Sequence, residues 1–327
     1  MTNDFPPRRG GIETMVRQLC EQLPADQVVV HTATMPGAAA YDADVPFPVV
    51  RDPGRVLLPT PAVARRVAAT LRRYDCDRVV FGASAPLGLL APALRRAGAG
   101  HLTALTHGHE VWWAALPGSR SLLRRIGDAV DELTYVSEYC RSRIAPALSP
   151  AAAARMTPLR PTVDQEKFRP GCGGAAIRRR LGIPADALVV VCVARLVRRK
   201  GQDTLVRVWP EVLERFPGAV LLLVGDGPDR RRVQRMVRRR ALGPQVRSVG
   251  SVPPGEVPAY LDAGDVFAMP ARSRLWGLEV EAFGIVYLEA AACGLPVVAG
   301  RGGGVPEAVA MAQDLAVPDV LHPIRGS

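Results

Sequence analysis

Residues 188–203 read Leu-Val-Val-Val-Cys-Val-Ala-Arg-Leu-Val-Arg-Arg-Lys-Gly-Gln-Asp. Six apolar residues in a row, mostly β-branched, predict a strand that is buried on both faces, as in a parallel sheet. A basic loop follows, and then a helical pattern over residues 203–216. A buried strand that leads through a loop into a helix is the repeating unit of doubly wound α/β proteins.

Short apolar runs alternate with helical patterns in two blocks of the chain. Between the blocks, residues 147–161 are rich in Ala and Pro and show no strong periodicity. We therefore predict a Rossmann-like domain over residues 1–150, a linker over 151–165 and a second Rossmann-like domain over 166–327, facing each other across a cleft. The predicted strands are Val28–Thr32, Arg78–Phe81, Leu102–Thr106, Leu133–Val136, Leu188–Val193, Val220–Val224, Val246–Gly250, Val266–Met269 and Pro296–Ala299.

Composition narrows the class of protein. Of 327 residues, 48% are apolar and only 5% aromatic, which excludes a disordered or fibrous chain. The six cysteines are scattered without a Cys-x-x-Cys pair, which favours a reducing compartment over a zinc site or a disulfide framework. We expect no leader sequence, and no apolar run reaches the length of a membrane span. We expect a cytoplasmic protein, either free or peripheral on the inner face of the membrane.

The net charge of +11 is carried almost wholly by arginine, since Lys167 and Lys200 are the only lysines. Such a composition is typical of a GC-rich genome, and the excess charge also suits an anionic partner such as nucleotide phosphates or acidic lipids. No aromatic residues interleave with the arginines, so nucleic acid is not expected. On the helix over 61–74, Arg65, Arg66, Arg72 and Arg73 with Val63, Val67 and Leu71 between them could form a lipid-facing surface; the alternative is that these arginines are ordinary solvated positions.

Two loops could hold a diphosphate. Arg195 and Lys200 follow the strand over 188–193 directly, where Arg can fork across two phosphate oxygens and Lys supplies a point charge. Near the start of the chain, Gly10 and Gly11 precede a helical pattern, and free N–H groups at a helix N-terminus also bind phosphate. A solvated loop is the alternative for the cations, and a plain turn for the glycines.

Two glutamates and a glycine form the most distinctive pattern, Glu281-Ala-Phe-Gly284-Ile-Val-Tyr-Leu-Glu289. We expect Gly284 to start a helix, which leaves Glu281 in the loop before it. Carboxylates accept hydrogen bonds from hydroxyl groups, so Glu281 could face a sugar and Glu289 a ribose diol.

A histidine pair, His107-Gly-His109-Glu110, ends the strand over 102–106. A histidine at the carboxyl end of a strand can position a substrate or transfer a proton.

Signatures of other protein classes are missing. Arg230 stands where a dinucleotide-binding Gly-x-Gly-x-x-Gly needs its last glycine, which makes an NAD-dependent oxidoreductase a distant alternative. Asp-x-Asp occurs only at Asp42-Ala-Asp44 and Asp75-Cys-Asp77, so no metal is expected.

Together these residues resemble the retaining glycosyltransferases of family 4 type, which have the two-domain GT-B fold. Glu281, Gly284 and Glu289 resemble the family's E-x-x-G-x-x-x-x-E signature. Across nearly the whole chain, the similarity is greatest to the actinobacterial PimB-type phosphatidylinositol-mannoside mannosyltransferases. The stretches that carry it include Thr2-Asn-Asp-Phe-Pro-Pro, Phe81-Gly-Ala-Ser-Ala-Pro-Leu87, Thr106-His-Gly-His-Glu110 and Arg199-Lys-Gly-Gln-Asp203.

The resemblance implies a role for each of these positions. Arg195 and Lys200 would bind the diphosphate of GDP-mannose and stabilise the leaving GDP without a metal, and no prosthetic group is expected. Glu281 would hold mannose hydroxyls and Glu289 the ribose. His107 would lie near the reacting carbon with His109 as its neighbour, and Gly10, Gly11 and Gly284 would contact the donor. The acceptor would be an anionic glycolipid at the membrane surface.

The chain departs from the family pattern in three places. Thr162-Val-Asp164 stands where Gly-Val-Asp is usual, and residues 273–280 replace a glycine-rich loop, which places Leu275 and Trp276 beside the donor. Both chain ends are expected to be truncated, because almost no strand precedes Thr2 and residues 318–327 follow without the family's last helices. Two alternatives stay open: a soluble natural-product or saccharide acceptor, and a non-catalytic remnant that binds nucleotide.

Overall fold

The computed structural model describes residues 1–8 and 10–315, so the predicted tail over 318–327 lies outside the described residues. The chain divides into two compact units, Met1–Pro161 and a second that begins at Thr162. Each unit is a parallel sheet with helices packed on it. The prediction of two Rossmann-like α/β domains is confirmed.

The strands of the first unit are β1 (Val30–Ala33), β2 (Val49–Asp52), β3 (Arg78–Phe81), β4 (His101–Leu105), β5 (Glu132–Tyr135) and β6 (Met156–Pro158). β1 pairs with β2, and β3 to β6 pair in chain order, all in parallel. Residues 1 and 2 lie between these two groups: Thr2 bridges to Thr32 of β1, and the Gly82 N–H donates to the Met1 carbonyl at 2.8 Å. The order across the unit is therefore β2, β1, residues 1–2, β3, β4, β5, β6.

Eight helices surround this sheet: α1 (Gly11–Glu21), α2 (Ala38–Ala43), α3 (Pro61–Arg73), α4 (Ala91–Arg96), α5 (Glu110–Ala115), α6 (Pro117–Ala129), α7 (Glu138–Ile144) and α8 (Pro150–Ala154). α8 and β6 occupy residues that the sequence pattern assigns to a linker over 151–165. That assignment is wrong for residues 151–161, because β6 pairs with β5 and completes the first sheet.

Helix α3 shows how local sequence and packing cooperate. The Thr60 hydroxyl accepts a hydrogen bond from the Val63 N–H at 3.3 Å, and Pro61 occupies the first turn. Its apolar side chains Val63, Val67 and Leu71 are all buried in the core. The expectation that these three side chains help to form a lipid-facing surface is therefore wrong, although the arginines between them are exposed.

The second unit contains β7 (Val189–Val193), β8 (Val220–Val224), β9 (Val246–Gly250), β10 (Val266–Met269) and β11 (Val297–Ala299). All are parallel, in the order β11, β10, β7, β8, β9. From β7 the strands β8 and β9 are added on one side of the sheet and β10 and β11 on the other, so the strand order reverses between β10 and β7. In doubly wound sheets, ligands bind at the carboxyl ends of the strands at such a switch point.

Up to residue 315, the helices of this unit are α9 (Gly174–Leu181), α10 (Gln202–Arg215), α11 (Arg230–Arg239), α12 (Val257–Asp262), α13 (Ile285–Ala292) and α14 (Val305–Gln313). Every residue of β8 is buried, and Phe267 of β10 packs edge-to-face on Tyr287 of α13. The Tyr287 hydroxyl donates to the Met269 carbonyl at 2.7 Å. This bond fixes α13 against the end of β10, next to the switch point.

Candidate active site

The switch point of the second sheet brings together three predicted site residues. Lys200 lies in the loop after β7, and Glu281 lies in the loop after β10. The Lys200 Nζ is 2.6 Å from the Glu281 Oε2, and their side chains are only 12% and 11% exposed. The contact is an ion pair rather than a well-aligned hydrogen bond. Glu289, on α13, is near enough for Lys200 to influence its pKa.

A glycine allows this approach. Gly201, directly after Lys200, has a φ of 81°, and a Cβ there would overlap the Pro270 carbonyl oxygen just beyond β10. Only glycine combines a left-handed backbone with so close a contact. The position therefore holds the β7 loop against the end of β10 and sets Lys200 beside Glu281.

Arg195 lies on the same loop but not in this cluster. Its side chain is exposed, and among the described residues it has no ion-pair partner. Its backbone carbonyl accepts a hydrogen bond from the Gln202 amide at 3.2 Å, which ties the start of the loop to α10. The guanidinium is thus available for an anion, whereas the Lys200 ammonium is already paired.

Gly284 starts α13, as expected. Its φ of 92° and ψ of 66° are left-handed, and a Cβ would lie 2.7 Å from the Tyr287 ring. The carboxyl of Glu289, the fifth residue of α13, lies in a desolvated position. Burial raises the pKa of Glu289 to about 7, and the attraction of Lys200 only partly opposes the rise.

Asp203, at the start of α10, is a buried residue to which the sequence patterns assign no function. Its carboxylate accepts hydrogen bonds from Arg272 at 2.8 Å and Arg232 at 3.0 Å. Burial opposes ionisation of Asp203, but these two bonds outweigh it and lower the pKa. The network joins α10, α11 and the loop after β10, so Asp203 is a structural support for the site.

In the first unit, a buried glutamate organises the histidine loop. Glu110 is fully buried and accepts hydrogen bonds from the Ser84 hydroxyl at 2.8 Å and from the backbone N–H groups of His107 and Gly108 at 3.1 and 3.2 Å. Its carboxylate also lies 3.2 Å from the His109 Nε2. The sequence patterns assign no role to Glu110, although an acidic residue in the first turn of a helix that follows a strand is a signal for one.

The bonding of His107 defines its tautomer. Its Nε2 lies 2.6 Å from the Gly82 carbonyl oxygen, so Nε2 carries the proton and donates. Burial lowers the pKa of His107, so the ring is neutral near pH 7 and Nδ1 is an acceptor. The loop is therefore suited to accept a hydrogen bond from a hydroxyl group.

Gly10 and Gly11 precede and open α1. A Cβ at Gly10 would overlap the Glu13 carboxylate, whereas the space beside Gly11 is open to 4 Å. Glu13 itself is buried and pairs with Arg8 at 3.2 Å. The open side of the helix start is thus at Gly11, and its use by a phosphate stays a prediction.

The loop over residues 273–280 is closed on itself. Arg274 and Glu279 pair through their backbones and through a 2.6 Å ion pair, and Trp276 at the tip is fully exposed with a φ of 58°.

Within residues 1–8 and 10–315, no cluster of three His, Cys, Asp or Glu side chains could hold a metal ion. No helix in the same ranges is long and apolar enough to cross a membrane.

Comparison with known proteins agrees with this architecture. The family model "Glycosyltransferase Family 4" matches residues 9–167, and "Glycosyl transferases group 1" matches residues 175–319. Two solved structures share the fold. Sucrose-phosphate synthase from Thermosynechococcus elongatus has a TM-score of 0.76 at 23% identity, over 100% of this chain and 85% of that one. Anabaena HepE in complex with UDP and glucose has a TM-score of 0.75 at 20% identity, over 94% of this chain and 81% of that one.

Two curated relatives are much more similar in sequence. The GDP-mannose-dependent alpha-(1-6)-phosphatidylinositol monomannoside mannosyltransferase of Mycolicibacterium smegmatis is 47% identical over 94% of this chain and 81% of the relative. The GDP-mannose-dependent monoacylated alpha-(1-6)-phosphatidylinositol monomannoside mannosyltransferase of Corynebacterium glutamicum is 43% identical over 97% and 83%. The predicted resemblance is confirmed, and the chain belongs to the group 1, family 4 glycosyltransferases.

Proposed function

We propose that this glycosyltransferase moves mannose from GDP-mannose, with retention, to a phosphatidylinositol-mannoside acceptor. The observation that carries the proposal is the cluster of Lys200, Glu281 and Glu289 at the switch point of the second sheet, in a chain 43–47% identical to two mannosyltransferases that are named for that donor. A sugar donor needs cations for its diphosphate and acceptors for its hydroxyls; Arg195 and Lys200 on the β7 loop offer the first, and Glu281 and Glu289 offer the second.

Each side chain has a distinct task in this proposal. Arg195, exposed and unpaired within the described residues, forks across the diphosphate, and Lys200 joins it while staying close to Glu281. Charge that develops on the departing phosphate is then stabilised by fixed cations, which is the work that a metal does elsewhere. Glu281 accepts hydrogen bonds from the mannose, and Glu289 from the ribose.

On the first unit, His107 positions a hydroxyl group. Its neutral ring offers Nδ1 as an acceptor, because Nε2–H is held by the Gly82 carbonyl. Burial lowers the pKa of His107, and the Glu110 carboxylate, which opposes that shift only in part, is occupied with the loop backbone, so His107 is a weak base. We therefore propose front-side displacement, in which the departing phosphate oxygen takes the acceptor proton and no covalent sugar–enzyme bond forms.

A soluble acceptor is the second candidate, supported by the departure at residues 273–280. An exposed Trp276 on a closed loop offers a flat apolar face of the kind on which sugar rings and aromatic natural products stack. Deacylated phosphatidylinositol mannoside and the intact lipid separate the two candidates, because a soluble-acceptor enzyme gains nothing from the acyl chains.

The test is release of nucleotide from GDP- and UDP-sugars with and without a membrane lipid extract. The proposal requires release of GDP from GDP-mannose that increases with the extract and persists in EDTA. Arg195→Ala should weaken GDP binding at least tenfold, whereas Arg198→Ala should leave it unchanged, since Arg198 is exposed and paired only loosely with Asp229 at 3.8 Å. Preference for a UDP-sugar, or loss of GDP binding in EDTA, would contradict it.

A further inference from the structure

Two of the six free cysteines lie beside each other in the second unit. Cys172 is in the turn that precedes α9, and Cys293 directly follows α13 at its C-terminal end. The two thiols are close enough to interact as hydrogen-bonding groups. Since residues 172 and 293 are 121 positions apart in the sequence, the fold brings them together.

The turn that carries Cys172 is fixed by one carboxylate. The backbone N–H groups of Gly171, Gly173 and Gly174 donate to Asp262, at the end of α12, at 2.8, 3.0 and 2.6 Å. Gly171 and Gly173, on either side of Cys172, have φ values of 76° and 129°, a conformation that glycine adopts without strain. The position of Cys172 is therefore set by backbone bonds on both of its sides.

The end of α13 packs on the same turn. Gly294, next to Cys293, has a φ of 79°, and a Cβ there would lie 3.2 Å from the Pro170 ring, two residues before Cys172. The Asp262 carboxylate that holds the turn also acts on the Cys293 thiol. Backbone contacts as well as the thiols thus place the two chain segments side by side.

The two thiols differ in reactivity. Cys172 is half-buried, whereas Cys293 is only 4% exposed. Burial raises the pKa of the Cys293 thiol, and the neighbouring Cys172, Asp262 and Glu289 raise it further. Because the thiolate is the form that attacks a disulfide, Cys172 is the thiol that reacts first with a small disulfide from solvent.

We propose that Cys172 and Cys293 are a reversible modification site, at which a low-molecular-weight disulfide converts the two thiols into an intramolecular disulfide. The Cys172 sulfur attacks one sulfur of the small disulfide, which forms a mixed disulfide and releases the first small thiol. Cys293 then loses its proton, and its sulfur attacks the Cys172 sulfur and releases the second small thiol. The protein gives up two electrons and two protons, and the small disulfide takes up both.

The new bond acts as a staple on the second unit. It encloses the chain from α9 to α13, and with it β7, β8, β9 and β10. A cross-link over so long a loop restricts the unfolded chain and thereby stabilises the folded one. The Cys293 N–H donates to the Glu289 carbonyl at 3.2 Å, so the staple also fixes the helix that carries Glu289.

The test treats the full chain with hydroxyethyl disulfide and maps the non-reduced peptides by mass spectrometry. We expect a peptide pair joined through Cys172 and Cys293, two hydrogens lighter than the reduced pair. The Tm should rise by at least about 5 °C, and dithiothreitol should reverse both changes. Cys76→Ser is the matched control: Cys76 is also half-buried but lies in the first unit, so this variant should form the cross-link as the wild-type chain does.

Two further variants remove one thiol of the pair each. Cys172→Ser and Cys293→Ala should both lack the cross-link and the rise in Tm, and Cys293→Ala should keep the small-molecule adduct on Cys172. Cys172 is half-buried, so its serine variant should fold even if the buried Cys293→Ala does not. A wild-type adduct on Cys172 that never closes, a cross-link from Cys172 to another cysteine, or a cross-linked chain with an unchanged Tm would overturn the proposal.

Discussion

Replacing Lys200 with Met removes the cation from the pair at the switch point of the second sheet. Nζ and Oε2 are 2.6 Å apart, and the two side chains are 12% and 11% exposed. At an effective dielectric constant of about 20, the Coulomb attraction is about 6 kcal/mol, and desolvation of the two groups offsets roughly half of it. Lys200→Met leaves Glu281 buried without its cation, so the free energy of unfolding should fall by about 3 kcal/mol.

Thermal unfolding measures this loss, which corresponds to a decrease in Tm of about 6–12 °C for a unit of this size. The double variant Lys200→Met/Glu281→Gln should recover most of the stability, because the unpaired carboxylate is gone, and should still fail to bind GDP. Arg198→Met is the matched control; its side chain is 55% exposed, and its removal should cost less than about 1 kcal/mol. If Lys200→Met cost no more than Arg198→Met, or if the double variant were as unstable as the single one, the pair would not be coupled as the structure indicates.

Three further predictions concern individual site residues. Burial raises the pKa of Glu289 to about 7, and the carboxylate is the form that accepts two ribose hydrogen bonds, so GDP affinity measured by calorimetry should fall about tenfold from pH 8 to pH 6. Glu289→Gln should flatten this pH dependence. An equal slope in that variant would show that Glu289 does not bind the ribose. Gly284→Ala forces a left-handed alanine against the Tyr287 ring and should destabilise the chain by about 1–3 kcal/mol. Gly243→Ala, with open space around it, should have almost no effect on stability. Similar unfolding curves for the two variants would show that the helix start tolerates a side chain. His107→Gln should lower turnover about a hundredfold with GDP affinity unchanged. His101→Gln, at the exposed start of β4, should change neither turnover nor GDP affinity. A parallel loss of GDP affinity in His107→Gln would show that His107 binds the nucleotide.

Much of the second unit could be predicted because its sheet is buried on both faces. The apolar runs over 220–224 and 266–269 coincide with β8 and β10, which are buried or nearly so along their length. The start of α13 at Gly284 could likewise be predicted, because a glycine before an apolar helical run is a local signal for a helix start. These features depend on neighbouring residues in the chain.

The parts that could not be predicted depend on distant residues. β2 and β6 are four and three residues long, and pairing with β1 and β5 makes them strands, not their composition. The apolar side chains of α3 have the same spacing whether they face a core or a lipid, and only the packing of the sheet decides between the two. The role of Glu110 needed Ser84, which is 26 residues away in sequence.

The central claim is tested most directly by the product itself. The chain is incubated with GDP-mannose carrying a 13C label at the anomeric carbon and with deacylated phosphatidylinositol monomannoside, and the anomeric configuration of the transferred sugar in the product is read by NMR. The account predicts a single new α-mannosidic linkage, formed equally well in EDTA and lost in Glu281→Gln and Lys200→Met. A β-linked product, transfer that persists in Glu281→Gln, or tight GDP binding without any transferred mannose would contradict it.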